Sequence, residues 1–120
     1  MRLDHFASRF WFGLVLLVFP SLACAHAILL FSTPSASAIL KGPEIEVQLR
    51  FNSRIDAKRS RLTLTRPNGA LESLTIGEQS SPDLLNTQIK GLRSGAFVLR
   101  WQVLATDGHI TRGEIPFRVE

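Results

Sequence analysis

Polar and apolar residues alternate along much of this chain. In Glu44-Ile45-Glu46-Val47-Gln48-Leu49-Arg50-Phe51 every second position is apolar across eight residues, the period of a strand with one wet and one buried face. Ile45, Val47, Leu49 and Phe51 form its inward set. Arg61 to Arg66 alternates likewise, Pro67-Asn68-Gly69 reads as a turn, and Leu71 to Ile76 is the returning strand. Leu84 to Lys90, closed by Gly91, is a further strand. The clearest runs from Ala96 to Val103, with Phe97, Leu99, Trp101 and Val103 inward. Glu114 to Val119 is the last, with Ile115, Phe117 and Val119 inward. Pro116 has no N–H, which predicts an edge strand or a nitrogen turned to solvent. Residues 27–31 read as a short buried strand, and residues 53–60 hold no more than a helical turn. About seven short strands, with turn signals roughly every 8–12 residues, predict an all-β antiparallel sandwich.

The first 25 residues break this pattern. A short start with Arg2 and Arg9 precedes the ten-residue apolar run Phe10 to Phe19, then Pro20 and Ser21-Leu22-Ala23-Cys24-Ala25. That is the three-part layout of a secretory signal peptide, and Ala23 and Ala25 place the cut before His26. The apolar run falls short of the about 20 residues needed to span a bilayer. The competing reading is a lipoprotein signal in which Cys24 is lipidated and becomes the new N-terminus. Against it, Ser21 stands three residues before Cys24, where such signals usually carry Leu.

The expected organisation is therefore a leader over 1–25 and one domain over 26–120. Removing the leader, with Arg2, Arg9 and Asp4, leaves 12 basic and 9 acidic residues, a net charge of +3. The basic residues are scattered, which speaks against nucleic-acid binding. The 95 residues left contain no Cys and no Met, so a disulfide or a thiolate site within this domain is excluded. The chain also carries no glycine-rich phosphate loop.

Two histidines remain in the domain, His26 and His109. Asp107 and His109 are spaced i, i+2, which turns both to one side of an extended segment, with Gly108 leaving the approach open. After cleavage His26 offers two nitrogens, its α-amine and imidazole Nδ1, which close a six-membered ring on one metal. With the His109 imidazole and the Asp107 carboxylate the set is three nitrogens and one oxygen. Such N,O donors suit Cu(II), with nickel or adventitious zinc as lesser options, whereas Cu(I) prefers sulfur and calcium or magnesium prefer oxygen. Amine and imidazoles must be deprotonated to bind, so affinity is expected to fall below about pH 6. Taken singly, each residue has an ordinary reading: Asp107-Gly108 as a turn, His109 as a surface histidine, His26 as the residue after the cut. Strand parity would send 105, 107 and 109 into the core, where an unpaired Asp107 is costly. The strand is thus expected to end before them, or to kink near Gly108, leaving the site at the mouth of the sandwich. Trp101 reads as a core anchor. Arg100 and Arg112 are expected to form solvated pairs with Asp107 or Glu114.

Several stretches resemble the CopC family of periplasmic copper-binding proteins: His26-Ala27, Ser32-Thr33-Pro34, Pro43 leading into Val47-Gln48-Leu49-Arg50-Phe51, and Gly95 to Trp101 followed by Thr106-Asp107-Gly108-His109 and Gly113 to Phe117. The resemblance covers essentially residues 26–120. It implies an immunoglobulin-like Greek-key β-sandwich or barrel in the periplasm. It also implies Cu(II) held by the amine and imidazole of His26, by Asp107 and by His109, and a role in copper resistance or supply beside a CopD-type membrane transporter. The chain departs from the pattern in three places. With no Met in residues 26–120 it offers no Met-rich Cu(I) site. Asn52 and Ser53 stand where some members carry an acidic residue. Ser37 stands where a Gly is usual, a difference expected to affect only a turn.

The reading is a non-enzymatic, monomeric, exported Cu(II) protein that sequesters or delivers copper. One alternative is a copper oxidase acting on polysaccharide, which also uses an N-terminal His; with no Tyr and two Trp in the chain, little is offered for sugar stacking. The other is a metal-free immunoglobulin-like adhesion or assembly module using an exposed strand edge.

Overall fold

Alternation of the kind seen in 45–51 and 96–103 can be satisfied only by laying apolar faces of sheets against each other. The computed structural model, which describes residues 26–120 together with Gly13, does this with two sheets. The leader expected over 1–25 otherwise lies outside the described residues. Eight strands follow in order: β1 (Leu29–Thr33), β2 (Ala38–Leu40), β3 (Ile45–Phe51), β4 (Arg61–Thr65), β5 (Leu71–Leu74), β6 (Leu84–Ile89), β7 (Gly95–Leu104) and β8 (Ile110–Val119). One sheet has the order β1-β3-β6 and the other β2-β8-β7-β4-β5. The chain passes repeatedly from one to the other. All pairings between strands are antiparallel except that of β2 with β8.

The expected inward sets form the core. Val47, Leu49 and Phe51 of β3 face Leu62, Leu64, Phe97, Leu99, Trp101 and Val103 of the larger sheet, all buried. Phe51 and Trp101 join the sheets edge to face, with ring centroids 5.2 Å apart. Phe97 stacks on its cross-strand partner Phe117 at 5.4 Å. Thr87, buried in β6, donates its hydroxyl to the Thr75 carbonyl at 2.6 Å, which removes the cost of an unpaired polar group in the core. Trp101 lies directly across Gly113 in the β7–β8 ladder. A Cβ at 113 would overlap Cζ2 and Cε2 of the indole, so the close approach requires glycine there.

Some expectations need correcting. Residues 27–31 are not a buried strand. Ala27 is buried, but Ile28, Leu30 and Phe31 are 57%, 63% and 53% exposed. The reason is position: β1 is the edge of the smaller sheet, its register shifts between Leu29 and Phe31, and Phe31 sits opposite Arg50 on the outer face. Pro116 does not mark an outer edge either, because β2 lies beyond β8. Its carbonyl accepts from Ser37 N at 2.6 Å. Nitrogen and carbonyl of one strand residue point to the same side, so the missing N–H falls on the β2 side and costs the β7–β8 ladder nothing. The three-residue β2 carries too little alternation to be seen in sequence. The helical turn within 53–60 is present as a 3-10 turn, Ala57–Arg59, capped by Asp56.

Ser37 has φ 64, and among the described residues it is the non-glycine residue with positive φ. Replacing it by glycine should relieve this conformation, raising the unfolding free energy by about 1 kcal/mol. Gly113→Ala should act oppositely, displacing the indole and costing about 1–3 kcal/mol. Denaturant unfolding of chains beginning at His26, followed by the emission of Trp101, would read both changes.

Candidate metal centre

The β7–β8 ladder runs without a break from Gly95↔Val119 to Leu104↔Ile110. Beyond it, Ala105 N donates to the His109 carbonyl at 2.9 Å and Gly108 N donates to the Ala105 carbonyl at 2.9 Å. Thr106, Asp107 and Gly108 are therefore a three-residue hairpin loop, and Gly108, with φ 90, takes the left-handed position such a loop needs. Asp107-Gly108 does reverse the chain. The same reversal resolves the parity problem: Ala105 is the last buried residue before the loop, and Asp107 and His109 are carried past the core to the exposed end of the sandwich.

Asp107 grips His109 twice. Its Oδ1 accepts from the His109 backbone N–H at 3.1 Å, and its Oδ2 lies 2.9 Å from His109 Nδ1. An ionised carboxylate only accepts, so Nδ1 carries a proton, which in the neutral ring leaves the lone pair on Nε2. The backbone hydrogen bond from His109, and then the side-chain one, hold the Asp107 carboxyl below its ordinary range. Arg100 and Arg112 do not reach Asp107. Arg100 Nε pairs with Glu114 at 2.8 Å, and Arg112 Nε donates to Gln102 at 2.9 Å.

The other half of the site is the start of the domain. His26 is exposed and Ala27 is buried. Ile28 N donates to Asn52 Oδ1 at 2.8 Å, and Asn52 N donates to the Ile28 carbonyl at 3.0 Å. This places the His26 ring 5.2 Å from that of His109, centroid to centroid, at 65°. Sequence reasoning noted Asn52 only as a missing carboxylate; its hold on Ile28 was visible only in three dimensions.

Two imidazoles sharing one ion, each about 2 Å from it, would have centroids roughly 4.5–6 Å apart, and the observed 5.2 Å lies in that span. The donors fit a cation that takes nitrogen with one oxygen. Among the described residues no three His, Cys, Asp or Glu side chains already stand as a ligand cluster. What is assembled is an imidazole pair, one member braced by a carboxylate.

Fold and site together define a small immunoglobulin-like β-sandwich with a histidine pair at one end. The CopC domain model matches residues 29–120, and the chain belongs to the CopC family. It is 28% identical to the CopC of Methylosinus trichosporium OB3b, whose crystal structure superposes with a TM-score of 0.73 over 79% of this chain and 94% of that one. Protein YobA of Escherichia coli K12 is 30% identical over 107 residues, 87% of this chain and 86% of YobA. Copper resistance protein C of Xanthomonas campestris pv. juglandis is 28% identical over 127 residues, 96% of this chain and 99% of that protein. The chain is thus a copper-related protein of the CopC family.

The lowered Asp107 carboxyl adds stability above its unfolded value, and that contribution fades as pH falls through the lower folded value. Carbon-detected NMR titration of the metal-free domain should place its midpoint below 3.8. A midpoint at or above 3.8 would mean that the two bonds to His109 do not persist in solution.

Proposed function

We propose that the chain is exported to the periplasm, that cleavage before His26 frees its α-amine, and that the mature domain binds Cu(II) as cargo. His26 supplies amine and imidazole, and His109 supplies Nε2. Asp107 keeps His109 in the required tautomer and orientation, and its remaining lone pairs are available as a weaker oxygen donor. The single observation that carries this reading is the approach of the two imidazoles to 5.2 Å at the exposed end of the fold. Support also comes from the relative named for copper resistance, which matches nearly its whole length.

The role is sequestration or delivery of copper, not turnover. Trp101 is buried and the chain has no Tyr, so the described residues offer no exposed Trp or Tyr for stacking a sugar. The domain acts as a monomer that hands copper to, or receives it from, a CopD-type membrane transporter. Its exposed site lets a partner reach the ion.

The test is N-terminal mass analysis of the exported protein together with competitive Cu(II) titration. One extra residue ahead of His26, or His109→Ala, should weaken binding by at least as much as the about 10–100-fold typical of losing an outer-shell partner. Asp107→Asn should fall within that range. Binding should weaken as pH drops below about 6, because protons compete for both imidazoles and the amine. Undiminished affinity in the extended chain would remove the amine from the site.

A further inference from the structure

Asn52 is the first residue after β3, and it engages both backbone groups of Ile28. Its side-chain carbonyl accepts from Ile28 N at 2.8 Å, and its own N–H donates to the Ile28 carbonyl at 3.0 Å. His26 begins only two residues upstream, and the one residue between, Ala27, is anchored by burial at 2% exposure. The segment that follows Asn52 holds the opposite half of the site. The Arg54 carbonyl accepts from Thr106 N at 3.3 Å, Ile55 bridges Ala105, and Asp56 N donates to the Leu104 carbonyl at 2.9 Å. Residues 52–56 thus grip the start of the domain at one end and the hairpin bearing Asp107 and His109 at the other.

We infer that Asn52 is a positioning residue for the metal-binding N-terminus: by clasping Ile28 it sets where His26 stands relative to His109. The inference rests on the copper-site reading above and assigns Asn52 no bond to the ion. A chain terminus not tied down is poorly ordered, so without the clasp His26 must be brought to His109 each time an ion binds. The clasp meets that cost in advance. Asn suits the task because its amide oxygen accepts the Ile28 N–H without placing a further charge beside the site.

The test uses Asn52→Ala and Asn52→Asp in chains beginning at His26, with and without His26→Ala. In metal-free protein, Asn52→Ala should speed amide exchange of Ile28 by about tenfold, the scale of one lost hydrogen bond, while the core amides of Leu49 and Leu99 stay protected. It should weaken Cu(II) binding by about five- to tenfold. Asn52→Asp, which keeps the acceptor, should retain Ile28 protection and bind copper at least as tightly as the parent. In the His26→Ala background, where only the α-amine is left to be positioned, Asn52→Ala should cause a smaller further loss. Equal losses in both backgrounds would reveal a merely structural role and overturn the inference. So would unchanged affinity in Asn52→Ala, or unchanged exchange at Ile28. If His26→Ala alone leaves copper binding intact, the site reading itself has failed and this inference falls with it.

Discussion

The hydrogen-bonded strap over residues 52–56 is the constraint on which the rest of the site depends. It leaves β3 in one sheet and meets β7 of the other, through the bridge of Ile55 to Ala105 and the Asp56 bond to Leu104. It is itself braced from outside, since Ile55 N donates to the Pro82 carbonyl and Gln79 Nε2 donates to the Ile55 carbonyl. A backbone segment held on several sides is a stiff spacer. The gap between the two imidazoles is therefore a property of the fold more than of the two histidines.

Behind the strap, the core supplies the rigidity. A domain this small buries a modest fraction of its surface, so each inward position matters. Phe51 ends β3 immediately before Asn52 and packs edge to face on Trp101, which is closed over Gly113 in the same ladder that carries the Asp107–His109 hairpin. The core contact and the site are close in sequence on both sides: Phe51 adjoins Asn52, and Trp101 lies on the strand that leads into the loop after β7. The histidine pair on the surface is in this way mounted on a buried apolar interior.

Much of this fold is legible in the sequence. Period-two alternation located β3, β4 and β7 nearly to the residue, because the inward face of each is almost wholly buried, and Gly91 marked the close of β6. A meeting of His26 with His109 was also an expectation, since few residues in the domain can bind a metal through nitrogen, and the structure brings their rings to 5.2 Å. What escaped were features set by neighbours in space. β2 is too short to show a period, and it forms because β8 offers it an open edge. The apolar residues of 27–31 looked buried because hydrophobicity reports preference, not the side of a sheet on which a residue lands. The role of Asn52 was hidden for a related reason: an asparagine after a strand is compatible with many turns, and its partner lies 24 residues away. Ser37 was identified as standing in place of glycine, and the positive φ found there gives that substitution its physical meaning.

The register shift in β1 has a consequence for self-association. An edge strand carrying exposed Leu30 and Phe31 would ordinarily be a template for another chain, offering unpaired backbone groups together with apolar side chains. The irregularity between Leu29 and Phe31 breaks the even spacing of that rim. A second molecule therefore finds no straight ladder to extend. The sticky margin next to His26 is guarded against fibre-like stacking by a defect in its own pleat.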